Sequence, residues 1–205
     1  MKDKKRIGIM GGTFNPIHYG HLMIAENAYQ QFDLDEVIFL PTGHMPHKDC
    51  GGTEMTKHRC EMVRLAIKQH PHFTLSTYEV DRREVNYTYL TLEAMKEEHP
   101  ENAYYFIMGA DSLFSFDSWR CPDRICASAT VLAAVRDHLT ESKVDEQIRK
   151  IADLFQGQIH RLDTPNFNVS SREIRARVAK GESIRFLLPE EVRNYIEKND
   201  LYQVI

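Results

Sequence analysis

Two stretches of this sequence hold residues whose types and spacing can do chemistry. The first is Gly11-Gly12-Thr13-Phe14-Asn15-Pro16-Ile17-His18-Tyr19-Gly20-His21. Gly11 and Gly12 allow a ligand to approach backbone closely. Asn15-Pro16 marks a turn. His18 and His21 stand three apart where a helix is expected to begin. Both imidazoles then share one face, beside the free N–H groups and the positive dipole end of that helix. Rings placed there can donate hydrogen bonds to phosphate oxygens and take up positive charge beside an anion. Two histidines can also be incidental to a helix start, or can be a metal pair. The complete string, set between a strand and a helix, favours the anion site. It is neither a G-x-G-x-x-G fingerprint nor a G-K-[ST] loop.

The second stretch is Phe167-Asn168-Val169-Ser170-Ser171-Arg172-Glu173-Ile174-Arg175. Ser170 and Glu173 fit a capping box. Arg175 is expected in the first turn of the helix that follows. Its guanidinium and the helix N–H groups can converge on a phosphate chain.

These loops need elements to hold them. Arg6 to Met10 reads as a strand. Leu22, Ala25, Tyr29 and Phe32 fall at helical spacing. Strands follow at Val37 to Leu40, Phe73 to Ser76, Tyr104 to Met108, Thr130 to Val135 and Gln158 to Leu162. Helices are expected at Met55 to Gln69, Leu90 to Glu98, Val144 to Phe155, Ser171 to Lys180 and Glu190 to Lys198. Nearly continuous apolar strands alternating with helices imply an α/β fold, with a parallel central sheet and helices on both faces. In such sheets ligands bind beyond the carboxyl ends of the strands, where the strand order switches. The first loop lies at such an end.

Composition narrows the classes. The chain has 205 residues, enough for one domain with a full core. A single domain over residues 1–205 is expected, with a helical C-terminal subregion over about 165–205. No apolar run reaches the ~18 residues of a membrane span. Gly11, Gly12, Asn15 and Pro16 break up any signal-peptide core. Four cysteines without a CxxC pair, in a chain of this size, need not be bridged. These features point to a reducing cytoplasm. The net charge of −4 argues against nucleic acid. Between Arg161 and Arg185, however, six Lys/Arg face three Asp/Glu. A local basic patch on an acidic protein suits a small anion.

Taken together, Thr13-Phe14-Asn15-Pro16 and His18-Tyr19-Gly20-His21 resemble the T/HxGH signature of the nucleotidyltransferase superfamily. More narrowly, they resemble the bacterial nicotinate mononucleotide adenylyltransferases. Asn15 stands where Asp is commoner. Ser170-Ser171-Arg172-Glu173-Ile174-Arg175 is similar to the superfamily's I-S-S-T-x-I-R motif, with Arg172 in place of Ser or Thr. Pro41 to Lys48 resembles P-x-x-x-P-H-K. Asn86 to Leu92 resembles S-Y-T-x-x-T-L. Phe106-Ile107-Met108-Gly109-Ala110-Asp111-Ser112-Leu113 with Trp119 resembles F-I-x-G-x-D-S-L…W, with Arg120 replacing an aromatic. The likeness runs from Ile7 to Tyr202.

The resemblance implies a Rossmann-like nucleotidyltransferase fold. It implies transfer of the adenylyl group of ATP to nicotinate mononucleotide, with Mg2+ carried on the ATP phosphates and no metal ligand from protein side chains. His18, His21, Lys48 and Arg175 are the implied catalytic residues. Gly11, Gly12, Thr13, Phe14, Gly109, Asp111, Arg136, Ser170, Ser171 and Ile174 join them around ATP. Asn15, Lys48, Thr88 and Trp119 are the implied acceptor contacts, with Thr88 on the nicotinate carboxylate. Trp119 also suits stacking on a flat pyridine. Nicotinamide mononucleotide or phosphopantetheine as acceptor, or a module that binds ATP without turnover, remain open readings. His44, His47 and Cys50 match no standard zinc spacing. The tail from Val192 to Tyr202 is expected to pack the last helix on the core.

Overall fold

Along the first strand successive apolar residues point to opposite sides, and both sides are buried. This pattern repeats in each central strand and sets a sheet covered on both faces. The computed structural model describes residues 4–43, 52–82, 84–135 and 141–203. Its strands are β1 (Arg6–Gly12), β2 (Glu36–Pro41), β3 (Phe73–Leu75), β4 (Ala103–Gly109), β5 (Thr130–Val135) and β6 (Ile159–Asp163). They form one parallel sheet in the order β3-β2-β1-β4-β5-β6. The helices are α1 (Tyr19–Gln31), α2 (Gly52–Ile67), α3 (Thr88–Glu98), α4 (Ala110–Phe114), α5 (Pro122–Ser128), α6 (Glu141–Phe155), α7 (Ser171–Ala179) and α8 (Glu190–Lys198).

The sheet divides the core in two. Ile7, Ile9, Phe106, Met108, Val131 and Ala133 pack with Leu92 of α3, Leu113 of α4, Ile125 of α5 and Ile151 of α6. Met10, Ile107, Leu132 and Ala134 pack with Ala25 of α1, Val63 of α2, Ile174 of α7 and Ile196 of α8. Each fully buried Val, Leu, Ile, Phe or Met among them stabilises the fold by roughly 1.5–3 kcal/mol. The expected parallel sheet with helices on both faces is the one observed.

Register shows where the sheet opens. β1 pairs with β4 only as far as Met10 opposite Ile107. Beyond that point β1 stays on β2 through Gly11 and Gly12, while β4 stays on β5 through Met108 and Gly109. The two central strands therefore part at their carboxyl ends. This is also where strand order reverses, so a crevice forms at the position the topology favours for a ligand.

The segment between β4 and β5 departs from expectation. It holds α4, a 3-10 turn at Phe116–Ser118, and α5. Each is too short to show a helical period in sequence. α3 also begins at Thr88, before the expected Leu90.

Candidate active site

Loop 1 joins β1 to α1 and carries the histidine pair. His18 is the N-cap of α1 and His21 its third residue. Their rings stack with centroids 3.7 Å apart. The His18 backbone N–H donates to His21 Nδ1 at 3.3 Å. With Nδ1 accepting, the ring's donor is Nε2. The spacing of three that puts both rings on one face also lets the second ring cap the helix. Part of the expected free donor set is therefore already engaged: the Tyr19 N–H, too, donates to the Leu187 carbonyl at 3.1 Å. His18 is buried at 3% exposure. An added Cβ at Gly20 would lie 3.1 Å from the His18 ring and from Val169, which explains a glycine between the histidines.

The back of loop 1 is held from three directions. Arg59 of α2, fully buried, donates to the Thr13 carbonyl at 2.7 Å and to the Thr42 carbonyl at 2.8 Å. Arg175 of α7 donates to the Asn15 carbonyl at 2.7 Å, and the Ser171 hydroxyl to the Pro16 carbonyl at 2.8 Å. The Tyr202 hydroxyl donates to Asn15 Oδ1 at 2.5 Å. Burial holds the Tyr202 phenol above its ordinary range, against the opposing pull of Arg175 and Arg59. Peptide planarity then aims the N–H groups of Phe14 and Ile17 away from Arg59 and Ser171. The carbonyls face the protein and these amides face the other way, as an anion-binding loop requires.

A cleft of about 840 Å3 opens beside loop 1. Gly11, Gly12 and Thr13 line one part, Phe106 another, and Tyr87, Thr88, Thr91, Trp119 and Arg120 the rest. Glu79 also lines it, 6% exposed, accepting from the Thr91 hydroxyl at 2.9 Å and from the Gly43 N–H. Burial pushes the Glu79 carboxyl up despite those two donors. Gly43 has no room for a side chain, since an added Cβ would lie 2.1 Å from the Glu79 carbonyl oxygen. A smaller cavity of about 340 Å3, around Ile184, Arg193 and Leu201, shares no lining residue with this cleft.

The structure sorts the expected site residues into groups. Gly11, Gly12, Thr13, Thr88 and Trp119 line the cleft. Trp119 also meets Phe106 edge-on and Phe116 at a tilt, so it is wall and core at once. Gly109 caps α4 with open space on its Cβ side, and Asp111 lies exposed one residue into that helix. Phe14 and Ile174 are buried in the core, so their side chains offer nothing to a nucleotide. Asn15 uses its carbonyl and its side-chain oxygen inside the protein and does not line the cleft. Ser170 accepts from the Glu173 N–H at 3.2 Å as the N-cap of α7. The Glu173 carboxylate turns to Arg177 at 3.2 Å, so the box closes on one side only. Arg175 is the fifth residue of α7, a position past the expected first turn. The basic stretch is partly neutralised in place, Arg161 by Asp163 and Arg177 by Glu173. Lys48, Arg136, His44, His47 and Cys50 lie outside the described residues. Cys60, Cys121 and Cys126 are free thiols.

Sequence reading missed Arg59 and the second role of the tail. Val192, Ile196 and Leu201 pack as expected, but Tyr202 also reaches loop 1. Arg59 had a signal: it falls in register with Val63, Ala66 and Ile67, a charge on the buried stripe of α2.

A switch-point crevice with paired imidazoles on its first loop is the arrangement of a nucleotide-binding transferase. The family model described as Cytidylyltransferase-like matches residues 9–177, which places the chain in that class. Two relatives are each named probable nicotinate-nucleotide adenylyltransferase. One, from Lachnoclostridium phytofermentans, is 41% identical over 198 residues, covering 97% of this chain and 99% of its own. The other, from Thermoanaerobacter sp., is 42% identical over 204 residues, covering 99% and 97%. The chain belongs to the nicotinate-nucleotide adenylyltransferase family. The fold is similar to that of the Plasmodium falciparum nicotinic acid mononucleotide adenylyltransferase complexed with NaAD, with TM-score 0.80, 22% identity and 97% of each chain covered.

Proposed function

We propose that this chain transfers the adenylyl group of ATP to nicotinate mononucleotide, giving deamido-NAD and pyrophosphate. An oxygen of the acceptor's phosphate forms a bond to the α-phosphorus. The bond from that phosphorus to the α,β-bridging oxygen breaks, and pyrophosphate leaves with the electron pair. The observation that carries this reading is the span of loop 1. Its start, Gly11 to Thr13, lines the acceptor cleft, and its end carries the stacked His18 and His21 rings at the N-terminus of α1. One loop thus borders both the acceptor and the transferring phosphates.

In this reading the protein supplies positioning and charge stabilisation, with no covalent intermediate. His21 donates to an oxygen on which charge builds, and His18 holds His21 in place. Arg175 fixes the loop through the Asn15 carbonyl and turns its remaining N–H groups to the phosphate chain. Lys48 and Arg136 belong to the proposed set as further cations. Asp111 and Gly109 border the adenosine. Carried as MgATP, Mg2+ would supply charge neutralisation on the phosphates. The described residues contain no group of three His, Cys, Asp or Glu able to hold a metal, and an ion that keeps its waters and the phosphates needs none. No helix among the described residues is long and apolar enough to cross a membrane. The free thiols support a reducing, cytoplasmic setting.

The test is pyrophosphate release with MgATP and, separately, nicotinate mononucleotide, nicotinamide mononucleotide and phosphopantetheine. Strong preference for the first is expected. Preference for another acceptor would overturn the substrate. Release with none would overturn the reaction.

A further inference from the structure

The acceptor cleft is electrically uneven. Among the described residues that line it, Arg120 is the single cation and Glu79 the single acid. Glu79 is buried and held by Thr91 and Gly43. Arg120 is exposed at the rim, its Cζ 5.5 Å from the centre of the Tyr87 ring. At that distance the ring attracts the guanidinium. Tyr87 immediately precedes α3, and Trp119 immediately precedes Arg120.

Phe106 separates this corner from loop 1. Its ring lies 3.7 Å from an ideal Cβ on Gly11, and its centroid is 6.1 Å from that of Trp119. An acceptor whose phosphate reacts at loop 1 must therefore lay its far end against Trp119, Tyr87 and Arg120. We propose that the Arg120 side chain binds the carboxylate at that far end and sets the preference for an acid over the corresponding amide. The inference rests on the adenylyl-transfer reading above.

The argument is one of charge. A carboxylate that leaves water to lie against Trp119 and Tyr87 loses hydration and needs a cation to offset that loss. A carboxamide carries no charge and needs none. Bonds between guanidinium and carboxylate are also about twice as strong as neutral ones. Removing Arg120 should therefore weaken the acid and leave the amide alone.

The experiment compares wild type, Arg120→Gln and Arg120→Lys with MgATP and each pyridine mononucleotide. Arg120→Gln should lower kcat/KM for nicotinate mononucleotide at least tenfold, mainly through KM, and change that for nicotinamide mononucleotide less than twofold. Arg120→Lys should recover much of the loss. An equal fall with both acceptors would place Arg120 on their shared phosphate or in a structural role, and would overturn the proposal. No change with either would do the same. A wild type that turns over neither acceptor would overturn the underlying reading, and this one with it.

Discussion

His21 does two things at once, and the two can be separated. Its Nδ1 accepts the His18 N–H and caps α1, while in the proposed reaction its Nε2–H donates to phosphate. Removing an N-terminal cap costs about 1 kcal/mol of stability. Removing a preorganised donor to developing charge costs roughly 2.7–4 kcal/mol of transition-state stabilisation, or about 100- to 1,000-fold in kcat. His21→Ala loses both contributions. His21→Asn keeps an acceptor oxygen close to the position of Nδ1 but has nothing where Nε2 was. It should regain the stability that His21→Ala loses, yet remain at least 100-fold slower than wild type. Urea denaturation midpoints report the first quantity, and pyrophosphate release at saturating MgATP and acceptor reports the second. Turnover of His21→Asn within fivefold of wild type would refute the argument, because His21 would then serve only as a cap.

Other supports of the loop make further predictions. Arg59→Met removes charged hydrogen bonds to the Thr13 and Thr42 carbonyls; it should cost roughly 3–5 kcal/mol, and a loss below about 1 kcal/mol in urea denaturation would deny the clamp. Tyr202→Phe deletes the donor to Asn15 Oδ1 and should cost about 1 kcal/mol, with a fall in kcat/KM; unchanged stability and activity would mean the bond contributes nothing. Glu79 has a raised folded-state pKa, so its burial costs least below the unfolded value of about 4.3, and stability is lost as pH rises through the folded value. The stability of Glu79→Gln relative to wild type should therefore improve from about pH 4 to about pH 8, and a gap independent of pH would contradict the raised carboxyl.

The parts of this site that were legible in sequence are those the chain places side by side. Gly11 to His21 is one continuous string, so its residue types and spacing could be read without knowing the fold. Strand-like runs such as Val131 to Val135 were equally plain, since a strand buried on both faces tolerates little that is polar. Arg59 was hidden for the opposite reason. Its partners, Thr13 and Thr42, lie on other loops, and only the fold brings them together. Ser171 and Arg175 were found, but their hydrogen bonds to loop 1 were not, because a polar residue near a helix start has the same local signature whether it faces ligand or backbone; the Ser170 cap was legible, since its partner lies three residues on. The short helices around Trp119 show no period, so its contact with Phe106 could not be read from spacing.

The ties behind loop 1 span long stretches of sequence: Ser171 to Pro16 bridges 155 positions, Arg175 to Asn15 bridges 160, and Tyr202 to Asn15 bridges 187. During synthesis from the N-terminus, the reactive string emerges early and its braces emerge late. Such contacts raise contact order and delay the loop until the opposite end of the chain has been made and has folded back. A nascent or shortened chain lacking α7 and Tyr202 would carry both histidines yet leave the carbonyls of Asn15 and Pro16 without the partners that shape the loop. The order of synthesis thus keeps adenylyl-transfer competence from preceding a complete fold.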